Sequence, residues 1–284
     1  MTIVVANAPV SYGAFELTVG GGRYLADPAR VLDEVAAAGY AGIDLGPLGY
    51  LAPPERLAEE LAGRGLGLAG GYIELPFGDP ASLDAVLATF ARAAPQLAGP
   101  PPRPTLAAAA RSAALDEAGW HQFGEGLRLV VGRCRQAGFE PAFHHHAGTL
   151  VETPAEIERV LALSDVGLCL DTGHLLVAGG DPVVAVREWQ SRINQVHLKD
   201  ASARLIDGIR VEGAPAAEIW QRSVFRPLGD GGVDLEGVLS GLREIGYAGW
   251  AVVEQDVLVG DETGFERAAA DQRANRRFLT ERGL

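Results

Sequence analysis

Acidic and imidazole side chains in this sequence cluster at the ends of short apolar runs. The run 166–170 ends in Asp171, followed by Thr172-Gly173-His174, and the run 193–196 leads into His197-Leu198-Lys199-Asp200. Residues 251–253 lead into Glu254-Gln255-Asp256, and residues 140–143 into His144-His145-His146, with Gly148, Thr149 and Glu152 close behind. A charge at the end of a buried strand needs a partner, so a cation or a substrate hydroxyl is expected there. Strand alternation puts His144 and His146 on one side and His145 on the other.

Glu152, Asp171, His197 and Glu254 together make a set of three carboxylates and one imidazole. Hard oxygen donors with one nitrogen suit a single divalent ion, manganese first, with magnesium, cobalt or iron as alternatives, rather than structural zinc. Three carboxylates on a divalent ion leave about one negative charge, which favours a neutral, hydroxyl-rich substrate. Such an ion can take adjacent substrate oxygens and acidify the C–H between them for removal by a nearby base. Trp220, beside Arg222 and Arg226, offers a ring and guanidinium groups that could close over a sugar ring.

The elements that must carry these residues alternate from end to end. Strand patterns fall at 2–8, 41–45, 66–73, 105–110, 140–145, 166–170, 193–198 and 250–254. Helical patterns fall at 28–38, 54–64, 81–97, 115–137, 154–163, 182–189, 235–245 and 264–280. Eight βα units with near-continuous apolar strands predict a parallel sheet covered by helices, and so an α/β fold: one (β/α)8 TIM barrel over residues 1–284. An open nucleotide-binding sheet fits less well, because no GxGxxG follows the first strand. The turn Val19-Gly20-Gly21-Gly22 lacks both the spacing and the lysine of a phosphate loop. Residues 99–104 (GPPPRP) predict a rigid connector before the fourth strand. Residues 201–232 form a long seventh loop on the face where barrel active sites are built.

Composition narrows the function further. The formal charge is −13, from 24 basic and 37 acidic side chains, which argues against nucleic acid as partner. The two cysteines, Cys134 and Cys169, build neither a disulfide framework nor a paired-cysteine metal site, so a reducing, cytoplasmic setting is expected. Residues 1–15 carry no basic side chain, and no apolar run is long enough to span a membrane. The expected partner is a small molecule, with a homo-oligomer compatible.

Six stretches resemble the xylose isomerase-like barrels, a family that includes sugar epimerases, hydroxypyruvate isomerase, inosose isomerase and inosose dehydratase. They are AGYAGIDLG (38–46), HHHAGTLVET (144–153), LCLDTGH (168–174), QVHLKD (195–200), PLGDGGVD (227–234) and GYAGWAVVEQD (246–256). The resemblance implies one divalent ion held by Glu, Asp, His and Glu from strands five to eight. It carries over to Asp171, His197 and Glu254, with Glu152 as first ligand and His144 as its substitute. Many members have a glutamate where this chain has His144.

It also implies proton abstraction next to a carbonyl. An isomerase or epimerase of keto-sugars or cyclitols would exchange the proton between Glu152 and Glu254. A dehydratase would use His146, Glu152 or Glu254 as base and His174 or Lys199 as acid or substrate clamp, with His144, Trp220 and Arg226 around the substrate. The histidine run, the opening Asn7-Ala8-Pro9-Val10-Ser11 and the strand Leu68-Ala69-Gly70-Gly71-Tyr72 are most similar to the inosose dehydratase branch. The isomerase or epimerase is the leading expectation, followed by the dehydratase and a C-glycoside β-eliminating enzyme. An endonuclease IV-like repair enzyme shares the barrel but needs more metals and a basic groove.

Overall fold

The computed structural model describes residues 2–15, 19, 24–75 and 80–284, so Gly20–Gly22 of the glycine-rich turn lie outside the described residues. The strands are β1 (Ile3–Asn7), β2 (Gly42–Ile43), β3 (Gly67–Leu68), β4 (Gly70–Glu74), β5 (Arg103–Ala107), β6 (Ala142–His144), β7 (Gly167–Asp171), β8 (Ile193–Leu198), β9 (Asp200–Ala201), β10 (Phe225–Arg226) and β11 (Gly249–Val253). Nine of them form one sheet in the order β3-β2-β1-β11-β8-β7-β6-β5-β4, and every pairing in it is parallel. Ala69 alone separates β3 from β4. The first half of that strand pairs with β2 and the second with β5, which closes the sheet into the (β/α)8 barrel.

The helices are α1 (Pro28–Ala38), α2 (Leu57–Ala62), α3 (Ala81–Ala93), α4 (Glu117–Gln136), α5 (Pro154–Leu163), α6 (Thr172–Val177), α7 (Pro182–Glu188), α8 (Ala203–Glu212), α9 (Glu218–Gln221), α10 (Leu235–Glu244) and α11 (Glu262–Thr280). Their starts are written into the chain. Asp27, Asp116, Asp181, Asp234 and Asp261 each accept a backbone N–H of the first turn, and Thr153 with Glu156 forms a capping box. The apolar faces of these helices pack on the outside of the sheet in one large core.

Inside the barrel the filling is separate and small: Ala6, Ala8, Ala69, Trp250 and Val252. The Trp250 ring fills the end opposite the strand C-termini and donates from Nε1 to the Pro100 carbonyl at 2.9 Å. Glycines make room for it, since a Cβ at Gly42, Gly67 or Gly99 would lie 2.5–2.9 Å from the ring. Residues 250, 252 and 254 share the inward face of β11, so Glu254 tops the row that Trp250 begins.

Four details differ from the sequence expectation. The third strand is broken at Ala69. The fourth begins at Arg103 and includes Pro104, so the proline connector ends inside the strand. A helix, α6, follows β7 at once, because Asp171 Oδ1 accepts the His174 N–H and caps it. Finally, the long seventh loop is built rather than irregular. It contains α8 and α9, and β9 pairs antiparallel with β10 at its base.

Candidate active site at the barrel mouth

Five of the six histidines in the sequence stand at or just behind the C-terminal ends of β6, β7 and β8. The alternation of the histidine run is visible in the rings. Those of His144 and His146 are 5.5 Å apart, and each lies 6.3 Å from Tyr72, whereas His145 turns away and its Nε2 accepts the Asp171 N–H at 3.2 Å.

Asp171, wholly buried, uses its two oxygens differently. Oδ1 caps α6, while Oδ2 faces His144 Nε2 at 3.4 Å, His197 Nδ1 at 3.8 Å and Lys199 Nζ at 3.2 Å. His197 Nδ1 is also 3.2 Å from Glu254 Oε2. Three of the residues expected around an ion, Asp171, His197 and Glu254, therefore stand together with His144. Glu152 does not join them. Its Oε2 accepts the Gly148 N–H at 3.2 Å, inside the loop that follows β6.

Lys199 occupies the centre of the cluster at 1 % exposure. Its ammonium lies 2.7 Å from Asp256 Oδ1, 3.0 Å from Glu254 Oε2 and 3.0 Å from His174 Nε2, and 5.0 Å over the Phe225 ring. It is the only lysine in the sequence; all other basic side chains except histidine are arginine. Gly173 is part of the same fit, since a Cβ there would meet the Lys199 stem at 2.5 Å.

These contacts set the protonation of the site. Burial works against charge on Lys199, but Asp171, Asp256 and Glu254 outweigh it and hold the proton on. Burial likewise opposes charge on Glu254, yet His197 and Lys199 keep the carboxyl well below its usual range. His197 is raised well above an ordinary imidazole, its burial overcome by Cys169 and Glu254. His146 goes the other way: burial, then His144 and Lys199, push it down to about 3. Its Nδ1–H donates to the Ala147 carbonyl at 2.9 Å, which leaves the Nε2 lone pair as a proton acceptor. Of the five imidazoles here it alone is partly exposed.

Asp171, Glu254 and Asp256 bring three carboxylates against the Lys199 ammonium and the His197 imidazole, and burial raises the Asp256 carboxyl. His144 Nδ1 and His197 Nδ1 are buried without an aligned hydrogen bond. An excess of carboxylates and a His197 Nδ1 set between Asp171 and Glu254 without an aligned hydrogen bond fit a divalent cation. A second convergent group, His146, His174 and Asp256, already has Lys199 as its cation.

Trp220 closes the mouth from α9. It stacks on His146, with centroids 5.9 Å apart and planes 15° from parallel, and donates from Nε1 to Asp256 Oδ2 at 3.3 Å. The arginines foreseen beside it lie elsewhere. Arg222 pairs with Glu212 and Glu218, and Arg226 is exposed, on the side of Asp271 rather than of Trp220. Sequence reasoning named Asp256 at the strand end but gave it no role, although it lies two residues after Glu254 and so on the same face of an extended chain. It also passed over Asp44, which ends the apolar stretch of the second strand and is buried with His197 and Glu254.

Comparison with known proteins agrees with this architecture. Residues 32–281 match the family described as xylose isomerase-like TIM barrel. The inosose dehydratase of Geobacillus kaustophilus is 32% identical over 273 residues, 89% of this chain and 87% of its own. The rhizopine catabolism protein MocC of Rhizobium meliloti is 37% identical over 139 residues, 48% of this chain and 43% of its own. Among solved structures, an L-ribulose 3-epimerase superposes with a TM-score of 0.69 at 19% identity, covering 98% of this chain and 94% of the other. IolI, solved with a bound zinc atom, does so with a TM-score of 0.67 at 14% identity, covering 98% and 96%.

Proposed function

This chain belongs to the xylose isomerase-like TIM barrel family, and from that premise we propose that it is a metal-dependent dehydratase of a polyhydroxylated ring ketone of the inosose class. The observation that carries this reading is the make-up of the mouth. One uncharged, partly exposed imidazole, His146, stands beside an acid-rich cation site, and Glu152, the second carboxylate base that an isomerase would need, lies within its own loop. An isomerase or epimerase acting through Glu152 and Glu254 needs both carboxylates on the reacting carbon, and Glu152 is engaged with the Gly148 N–H instead. The similarity over most of the chain to an inosose dehydratase supports the same choice.

Asp171, His197 and Glu254 would hold the ion, with His144 beside them. Manganese is the favoured ion on donor hardness, and the two imidazoles keep zinc and cobalt in reach. When bound, a divalent ion supplies a Lewis acid that polarises the substrate carbonyl and so acidifies the adjacent C–H. His146 Nε2 takes that proton. The C–H electron pair becomes the C=C bond, the β C–O bond breaks, and the hydroxyl leaves as water with the proton that His146 returns. An imidazolium held at so low a pKa is a strong donor for that second transfer. Lys199 grips its proton too firmly for this role and acts as a fixed positive charge that orders Glu254, Asp256 and Asp171. Trp220 covers His146 and keeps bulk water from the reacting carbon.

The test is an NMR time course in D2O with Mn2+ and 2-keto-myo-inositol. An unsaturated ketone formed with loss of water is expected, slowed by about 10²–10⁴-fold in His146→Gln. Deuterium uptake without loss of water would instead mark an isomerase or epimerase and end the dehydratase reading.

A further inference from the structure

We propose that Asp44 supplies the third carboxylate of the metal site, in the place that the sequence offered to Glu152. The inference rests on the metal-dependent reading above and adds a ligand from the opposite side of the barrel.

The strand-end logic that singles out Asp171 applies equally to Asp44. Its N–H donates to the Asn7 carbonyl at 2.8 Å, which extends the β2–β1 ladder by one residue and places Asp44 at the strand's C-terminal end. The Leu45 N–H donates to its Oδ1 at 3.1 Å and orients the carboxylate. Gly70 locates that group in the barrel: a Cβ there would lie 3.1 Å from Asp44 Oδ1 and 3.0 Å from Gln195 Nε2. Asp44 therefore points at the interior row of β8, where Gln195 and His197 share a face.

The consequence is a convergent set. Single donor atoms of Asp44, His197 and Glu254 all lie within 4.8 Å of one another, and all three residues are buried. Asp171 stands next to this set, its Oδ2 3.8 Å from His197 Nδ1. Ligands held about 2.1 Å from one ion stand about 3–4 Å apart, so closing of the set by about 1–2 Å at most draws Asp44 into the shell. With Asp44 counted, the site has the three carboxylates and one imidazole that suit a hard divalent ion, contributed by β2, β7, β8 and β11. Glu152 is then free to brace its own loop.

Mn2+ titration by calorimetry, after chelator treatment, separates the two carboxylates. Asp44→Asn is expected to weaken Mn2+ binding by about 10–100-fold and to shift the visible spectrum of the Co2+-loaded protein. Glu152→Gln is expected to bind within about twofold of wild type. Asp44→Ser is the companion variant, with circular dichroism confirming the fold. Wild-type affinity in a folded Asp44 variant, or a large loss in Glu152→Gln, overturns the assignment and leaves the functional reading standing. A wild-type protein that takes up no divalent ion overturns both.

Discussion

Lys199 shows how much one side chain decides. A single ammonium stands 2.7–3.2 Å from carboxylates of three residues, Asp171, Glu254 and Asp256, in a space that Gly173 leaves open. A chain that is otherwise all arginine keeps lysine here because a planar guanidinium cannot occupy a point among those groups. Removing the charge leaves three buried carboxylates facing one another. Lys199→Met is therefore expected to lose about 3–5 kcal/mol in urea unfolding, part of it restored by a saturating divalent ion. Unchanged stability would mean that the buried carboxylates are compensated elsewhere. At this scale the sequence was informative where a polar group ended an apolar run, since burial makes such a residue need a partner. Asp171, His197 and Glu254, which stand together at the barrel mouth, were singled out in that way. Asp44 has the same signature on a shorter run, and only proximity across the barrel reveals its neighbours.

Among the elements, the segment after β8 carries the clearest lesson. It packs on its own small core of Ala147, Val177, Ile206, Ile209, Ile219, Val224 and Phe225, apart from the main one. Its return path is held by Asp200, whose carboxylate accepts the N–H groups of Ala201, Gly229, Gly231 and Val233 at 2.8–3.0 Å. Gly231 is required there, because a Cβ would lie 2.1 Å from Asp200 Oδ1. Asp200→Asn turns an acceptor into a donor against some of these amides. Faster hydrogen exchange at Gly229, Gly231 and Val233 is expected, with a stability loss of about 1–3 kcal/mol. Protection equal to wild type would show that the loop holds without this carboxylate. The length and composition of 201–232 announced a functional loop but not its helices, because short helices are stabilised by tertiary packing rather than by local signal. The same reason hid α6, whose six residues begin at the aspartate that also faces the cluster.

For the molecule as a whole, closure of the barrel brings Glu254 of β11, Asp44 at the end of β2 and Asp171 of β7 to one mouth from distant parts of the chain. Among the described residues no helix is long and apolar enough to cross a membrane. A bound ion ties several strands together, so it should act on global stability. At a hundredfold excess over its dissociation constant it adds about 2.7 kcal/mol, which calorimetry should read as a rise in Tm of several degrees, reversed by chelator. A Tm indifferent to both would argue against an ion at the barrel mouth. What the sequence determined by itself was the eight-fold alternation, the helix caps and the polar groups at strand ends, because periodicity and capping are local. Which of those groups meet was decided only by the tertiary structure. Strand register and barrel closure set distances between residues far apart in the chain, and these turned Glu152 to its own loop, put Lys199 among the acids and brought Asp44 to His197.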